Sequence, residues 1–147
     1  MVLEQGLYQV GAHYNVAISG YAVIVDHQAI ANDGFEIATH TAWRPDKAMA
    51  PENLDAHNAW IDKLAELTDV EVSSFDSYIE EIQKRQEYFH ENGCRLSDHG
   101  LDRPYAVEYT ASRIEAIFQK IRTKTELSPD EVEKFKAAMM VEFGRMN

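Results

Sequence analysis

Two short β-type runs, each ending in a charged cluster, lie about fifty residues apart with helical sequence between them. That spacing constrains the fold more than any other feature of the chain. The first run, Phe35 to Trp43, alternates at period two and is rich in β-branched and aromatic residues, which suits a strand. Pro45 ends it, because proline has no N–H to donate to a ladder and holds Arg44 extended. The second run, Cys94 to Ser97, follows the helix-ending pair Asn92-Gly93 and leads into Asp98-His99-Gly100-Leu101-Asp102. A run this short serves as a strand only where it is buried. As parallel neighbours in one sheet, the two runs need a helical crossover of about the length found between them. Arg44, Lys47, Asp98 and His99 then converge at the carboxyl edge of that sheet, where α/β enzymes collect their chemistry.

Most of the remaining sequence is helical in period. From Pro51, Leu54, Ile61 and Leu64 share a face, with Trp60 and Leu67 beside it. Thr68-Asp69-Val70-Glu71 has the form of a capping box and predicts a new helix start. Phe75, Ile79, Ile82 and Phe89 carry an apolar stripe to Gly93. Ser112–Thr123 reads as a helix presenting Ile114, Ile117, Phe118 and Ile121. Ser128-Pro129-Asp130-Glu131 opens another, with Val132, Phe135 and Met139 on its inner face.

Residues 1–26 differ in composition. They hold one pair of acids, no Lys or Arg and three of the seven glycines. Val16–Ile18 and Tyr21–Val25 read as short buried strands. His27–Asn32 reads as a helix end stopped by Gly34.

The net charge of −11 is spread along the helical segments. Such a surface repels phosphate backbones, so no nucleic-acid partner is expected. No run reaches the ~18 apolar residues of a membrane span. Glu4 is the only charge before Asp26, so the start lacks the basic region of a signal peptide. The single cysteine, Cys94, excludes an internal disulfide and fits a small buried core residue in a reducing compartment. A cytoplasmic location is expected.

An arginine held at a strand end suits a carboxylate, because its planar fork donates two parallel hydrogen bonds. A carboxylate beside an imidazole holds hydroxyls, orients a base or moves protons near neutral pH. The same residues also suit a bland reading: a solvated Arg-Pro-Asp-Lys turn, a capping Asp98 and a half-buried His99. The six histidines include no His-x-His and no helical pair flanking a carboxylate, so no metal site is expected. Ser97-Asp98-His99 cannot be a hydrolytic relay, since adjacent residues on a strand point to opposite faces.

From about His27 to Gly144 the chain resembles the uronate isomerases, on the segments His27–Gly34, Trp43-Arg44-Pro45-Asp46-Lys47-Ala48, Lys84-Arg85, Gly93–Asp102 and Leu127–Gly144. The resemblance implies an α/β fold, a partial (β/α)8 TIM-barrel fragment, predominantly helical with two or three short parallel strands. A closed barrel typically needs about 250 residues, more than the 147 present. The domain reading is therefore residues 1–26 as a strand-like leader unlike the family, and 27–147 as an internal barrel segment. The implied activity is aldose–ketose isomerisation of D-glucuronate to D-fructuronate, and of D-galacturonate to D-tagaturonate. By resemblance Asp98 is catalytic, Arg44 meets the sugar's carboxylate or hydroxyls, and His99 supports substrate binding beside it. Family members usually carry a divalent metal, often zinc. The family's His-x-His pair, later histidine and final aspartate have no counterpart here, so no cofactor is expected in this chain, and the isolated chain is expected to be inactive. Strand edges left open invite self-association. The alternatives are a non-catalytic helical interaction domain, or one part of a split barrel completed by another polypeptide.

Overall fold

The computed structural model describes residues 42–68 and 70–146. The elements expected within residues 16–34, the portion of the first strand before Ala42 and the 1–26 leader lie outside the described residues. The order is β1 (Ala42–Trp43), a 3-10 turn (Asp46–Met49), α1 (Leu54–Thr68), α2 (Phe75–Glu91), β2 (Leu96–Ser97), α3 (Ala111–Arg122) and α4 (Pro129–Met146). Helix predominates among the described residues. β1 and β2 pair in parallel, Ala42 opposite Leu96 and Trp43 opposite Ser97, as the crossover spacing predicts. The described residues form two compact units, one of 42–45 with 86–99 and one of 46–85 with 100–146.

The larger unit is a helical core. Ile61 and Leu64 of α1, Tyr78 and Ile82 of α2, all four expected apolar residues of α3, and Phe135 and Met139 of α4 are buried. Each such side chain removes enough apolar surface from water to contribute roughly 1.5–3 kcal/mol. Tyr78 stacks on Phe118 with ring centres 5.2 Å apart. Its hydroxyl also donates to the Ala48 carbonyl at 2.8 Å, tying α2 to the 3-10 turn. Asn58 of α1 donates to the Ile121 carbonyl at 2.6 Å and accepts from Arg122 at 2.7 Å, so a buried polar link joins α1 to the end of α3.

The helix starts show how local sequence sets the elements. Ser128 Oγ accepts the Glu131 N–H at 3.2 Å while the Glu131 carboxylate accepts the Ser128 N–H at 3.0 Å, the reciprocal box expected there. Lys120 and Arg113 also pair with Glu131. The Lys120 hydrogen bond and the Ser128 N–H hold its carboxyl at a pKa of about 2 against desolvation. Thr110 Oγ1 accepts the Arg113 N–H at the head of α3.

α2 starts at Phe75, not at the Thr68 box. Ser74 and Ser77 cap it instead: Ser74 Oγ accepts the Ser77 N–H at 3.1 Å, and Ser77 Oγ accepts the Ser74 N–H at 2.9 Å. Leu67, expected beside the inner face of α1, is exposed.

In the smaller unit Trp43 packs edge-on against Phe89 at 5.0 Å. Gly93 takes a positive φ of 91° as α2 ends, and the Cys94 N–H donates to the Phe89 carbonyl at 2.9 Å. Only glycine adopts that conformation at no steric cost. Cys94 is buried, as expected of a core residue. The strand after it is not: Leu96 and Ser97 are both exposed, Leu96 at 67%. Pairing with β1, rather than burial, sustains β2.

Candidate functional site

Arg44 is the first residue past β1 and Asp98 the first past β2. With Trp43 opposite Ser97, the register makes the two side chains neighbours one step beyond the ladder. The Asp98 N–H closes that ladder on the Trp43 carbonyl at 3.0 Å. Arg44 Nε lies 3.0 Å from Asp98 Oδ2. The contact is an ion pair by distance. Trp43 and Pro45, both buried, give Arg44 a rigid base on either side.

Asp98 is 60% exposed and Arg44 28%. An ion pair this open to solvent is worth about 1 kcal/mol or less. It contributes little to holding the fold, and its carboxylate stays accessible to a polar ligand. His99, half-buried, follows Asp98 directly in the same unit. The arrangement thus joins a guanidinium and a carboxylate at a strand end, with an imidazole next in the chain. That set can bind an anion, hold hydroxyls and pass protons.

Lys47, the fourth residue expected at the sheet edge, is described by itself. It belongs to the other unit, exposed on the 3-10 turn. Within that larger unit, Asp46 Oδ1 accepts the Gly100 N–H at 3.0 Å, so Asp46 is not the merely solvated turn residue of the bland reading. No pattern in a single sequence couples Asp46 to a glycine 54 positions away. Asp102, at the end of the second charged cluster, is taken up by Tyr105. The Tyr105 hydroxyl donates to Asp102 Oδ1 at 2.5 Å and holds that carboxyl below its usual range.

Among the described residues no three His, Cys, Asp or Glu side chains are grouped to hold a metal ion. Asp98 with His99 is too small a donor set for the usual three or four protein ligands. No described helix is long and apolar enough to cross a membrane.

A family model for glucuronate isomerase matches residues 21–147. A uronate isomerase of Cellvibrio japonicus is 49% identical over 121 residues, covering 82% of this chain and 26% of that protein. One from Phocaeicola vulgatus is 45% identical over the same span and shares. Among solved structures, a uronate isomerase from Thermotoga maritima superposes with a TM-score of 0.76 at 32% identity, over 82% of this chain and 27% of that one. A glucuronate isomerase from Caulobacter crescentus gives 0.71 at 29% identity, over 82% and 25%. The chain therefore spans about a quarter of the length of the relatives it matches.

Proposed function

The chain belongs to the glucuronate isomerase family, and on that premise we propose that it forms the part of a uronate isomerase barrel that meets the acidic sugar. The observation that carries the reading is the Arg44–Asp98 pair at the carboxyl ends of two parallel strands. In a (β/α)8 barrel the active site lies at that face. The substrates proposed are the hexuronates D-glucuronate and D-galacturonate.

Arg44 receives the sugar carboxylate, its planar fork matching two carboxylate oxygens. Asp98 is the proposed catalytic carboxylate, positioned to accept a hydrogen bond from a sugar hydroxyl and to carry a proton. His99 supports binding beside it. The isomerisation removes the proton from C2 of the aldose and protonates the C1 oxygen, giving an enediol. Return of a proton to C1 and loss of the one on the C2 oxygen yield the ketose, with no net change in redox state. A carboxylate within hydrogen-bond reach of the hydroxyls is suited to such transfers. Family members usually carry a divalent metal that acidifies bound hydroxyls. The described residues do not fit such a centre, and no step here is routed through one. A reducing, cytoplasmic setting suits the buried free thiol of Cys94.

Titration of the isotope-labelled chain with D-glucuronate, followed by NMR, tests the reading. Shifts are expected at Arg44 and Asp98, with D-glucose, which lacks the carboxylate, giving none. Arg44→Ala is expected to weaken binding about tenfold or more, the scale of a charged hydrogen bond. Unperturbed Arg44 and Asp98 signals at saturating D-glucuronate would sink it.

A further inference from the structure

We propose that Trp43 is a positioning residue for both Arg44 and Asp98, holding α2 with its ring and the Asp98 backbone with its carbonyl. The inference rests on the reading of Arg44 and Asp98 as the sugar-binding pair. All the residues involved lie in the smaller unit. The Trp43 indole is 7% exposed and meets the ring of Phe89, near the end of α2, edge-on with centres 5.0 Å apart. The Phe89 carbonyl in turn accepts the Cys94 N–H at 2.9 Å, which directs the chain into β2. Just past β2, the Asp98 N–H returns to the Trp43 carbonyl at 3.0 Å. These contacts form a closed ring that begins and ends on Trp43.

An extended chain sends successive side chains to opposite faces. A tryptophan clamped on the helix therefore sets the direction in which Arg44, the next residue, leaves β1. Ser97 stands opposite Trp43 in the ladder. Asp98 thus leaves β2 on the same side as Arg44, and the two meet at 3.0 Å. The indole acts by its shape rather than as a donor: Trp43 Nε1 is buried with no hydrogen-bond partner among the described residues. A phenyl ring at this position keeps the apolar edge and leaves no buried N–H unsatisfied. Preorganisation of this kind matters because small misplacements of a reacting group cost large factors in rate or affinity.

The test uses the full chain and three variants, Trp43→Phe, Trp43→Ala and Trp43→Leu. The readouts are Asp98 amide exchange, the Arg44 side-chain NMR signal that reports the ion pair, and D-glucuronate affinity. W43A is expected to speed Asp98 exchange about tenfold or more, the mark of easier local opening. It should also move the Arg44 signal toward that of a solvated arginine and weaken D-glucuronate binding severalfold. W43F is expected to stay close to the parent in all three, which separates the ring from the indole N–H. The Asn92 amide donates to the Tyr88 carbonyl at 3.2 Å where α2 ends, and its protection shows that the smaller unit is folded. Should W43A fail that check, W43L, which fills the space without a flat ring, is read in its place with the same expectations. Arg44 and Asp98 signals unchanged in the folded variant without the ring overturn the proposal, and so does a W43F that behaves as that variant does. A parent chain that does not bind D-glucuronate overturns the sugar-site reading alone, and the two NMR readouts still decide the role of Trp43.

Discussion

A buried histidine sets the acid sensitivity of the larger unit. His57 is 3% exposed, edge-on to the rings of Tyr78 and Phe135. Neither ring nitrogen has a hydrogen-bond partner among the described residues. Burial, the largest influence, lowers its pKa to about 4, while the Lys47 and Ala50 backbone pulls the other way. The unfolded chain, with the ordinary histidine pKa near 6.5, takes up a proton before the folded chain does. Stability is therefore fullest above pH 6.5 and falls as pH drops toward 4, by about 3 kcal/mol in all. Glu131 extends the loss at lower pH, its stabilising charge being present above 4.5 and lost toward 2. Urea midpoints measured between pH 7 and pH 4 should fall steadily, and His57→Phe should flatten that part of the profile. An unchanged slope in H57F would place the acid sensitivity elsewhere.

At the scale of elements, the helix caps carry separable stability. Ser128→Ala removes one half of the reciprocal box at α4 and is expected to cost about 1 kcal/mol in equilibrium urea unfolding, with the slope unchanged. α3 and α4 were legible in the sequence because their apolar residues recur at helical spacing, and α4 also carries its own start signal. The start of α2 was not, because two signals competed: Thr68-Asp69-Val70-Glu71 has the capping pattern, but the reciprocal Ser74–Ser77 cap forms six residues later. β2 was legible in place but not in environment, since two residues offer too little periodicity to report burial. The Arg44–Asp98 meeting followed from strand ends and crossover length, both local features. The Asp46–Gly100 bond did not, because a side chain reaching a backbone N–H in a distant loop leaves no periodic trace.

For the molecule as a whole, the exposed strand is the place where copies would meet. Leu96 is apolar, 67% exposed and, among the described residues, in a two-stranded sheet. Such an edge pairs readily with another chain unless a charge guards it. Sedimentation of the chain is expected to show mass rising with concentration, and Leu96→Lys to suppress the rise. Identical profiles for the two proteins would remove the strand as the contact. The neighbouring thiol has a use of its own. Cys94 is 5% exposed, its sulfur 3.4 Å from the Leu96 carbonyl, and it is the sole cysteine of the chain. A thiol-reactive dye reaches it only when the backbone leading into β2 lifts away. The rate of its labelling is thus a built-in clock for the opening of β2, read without introducing any foreign probe.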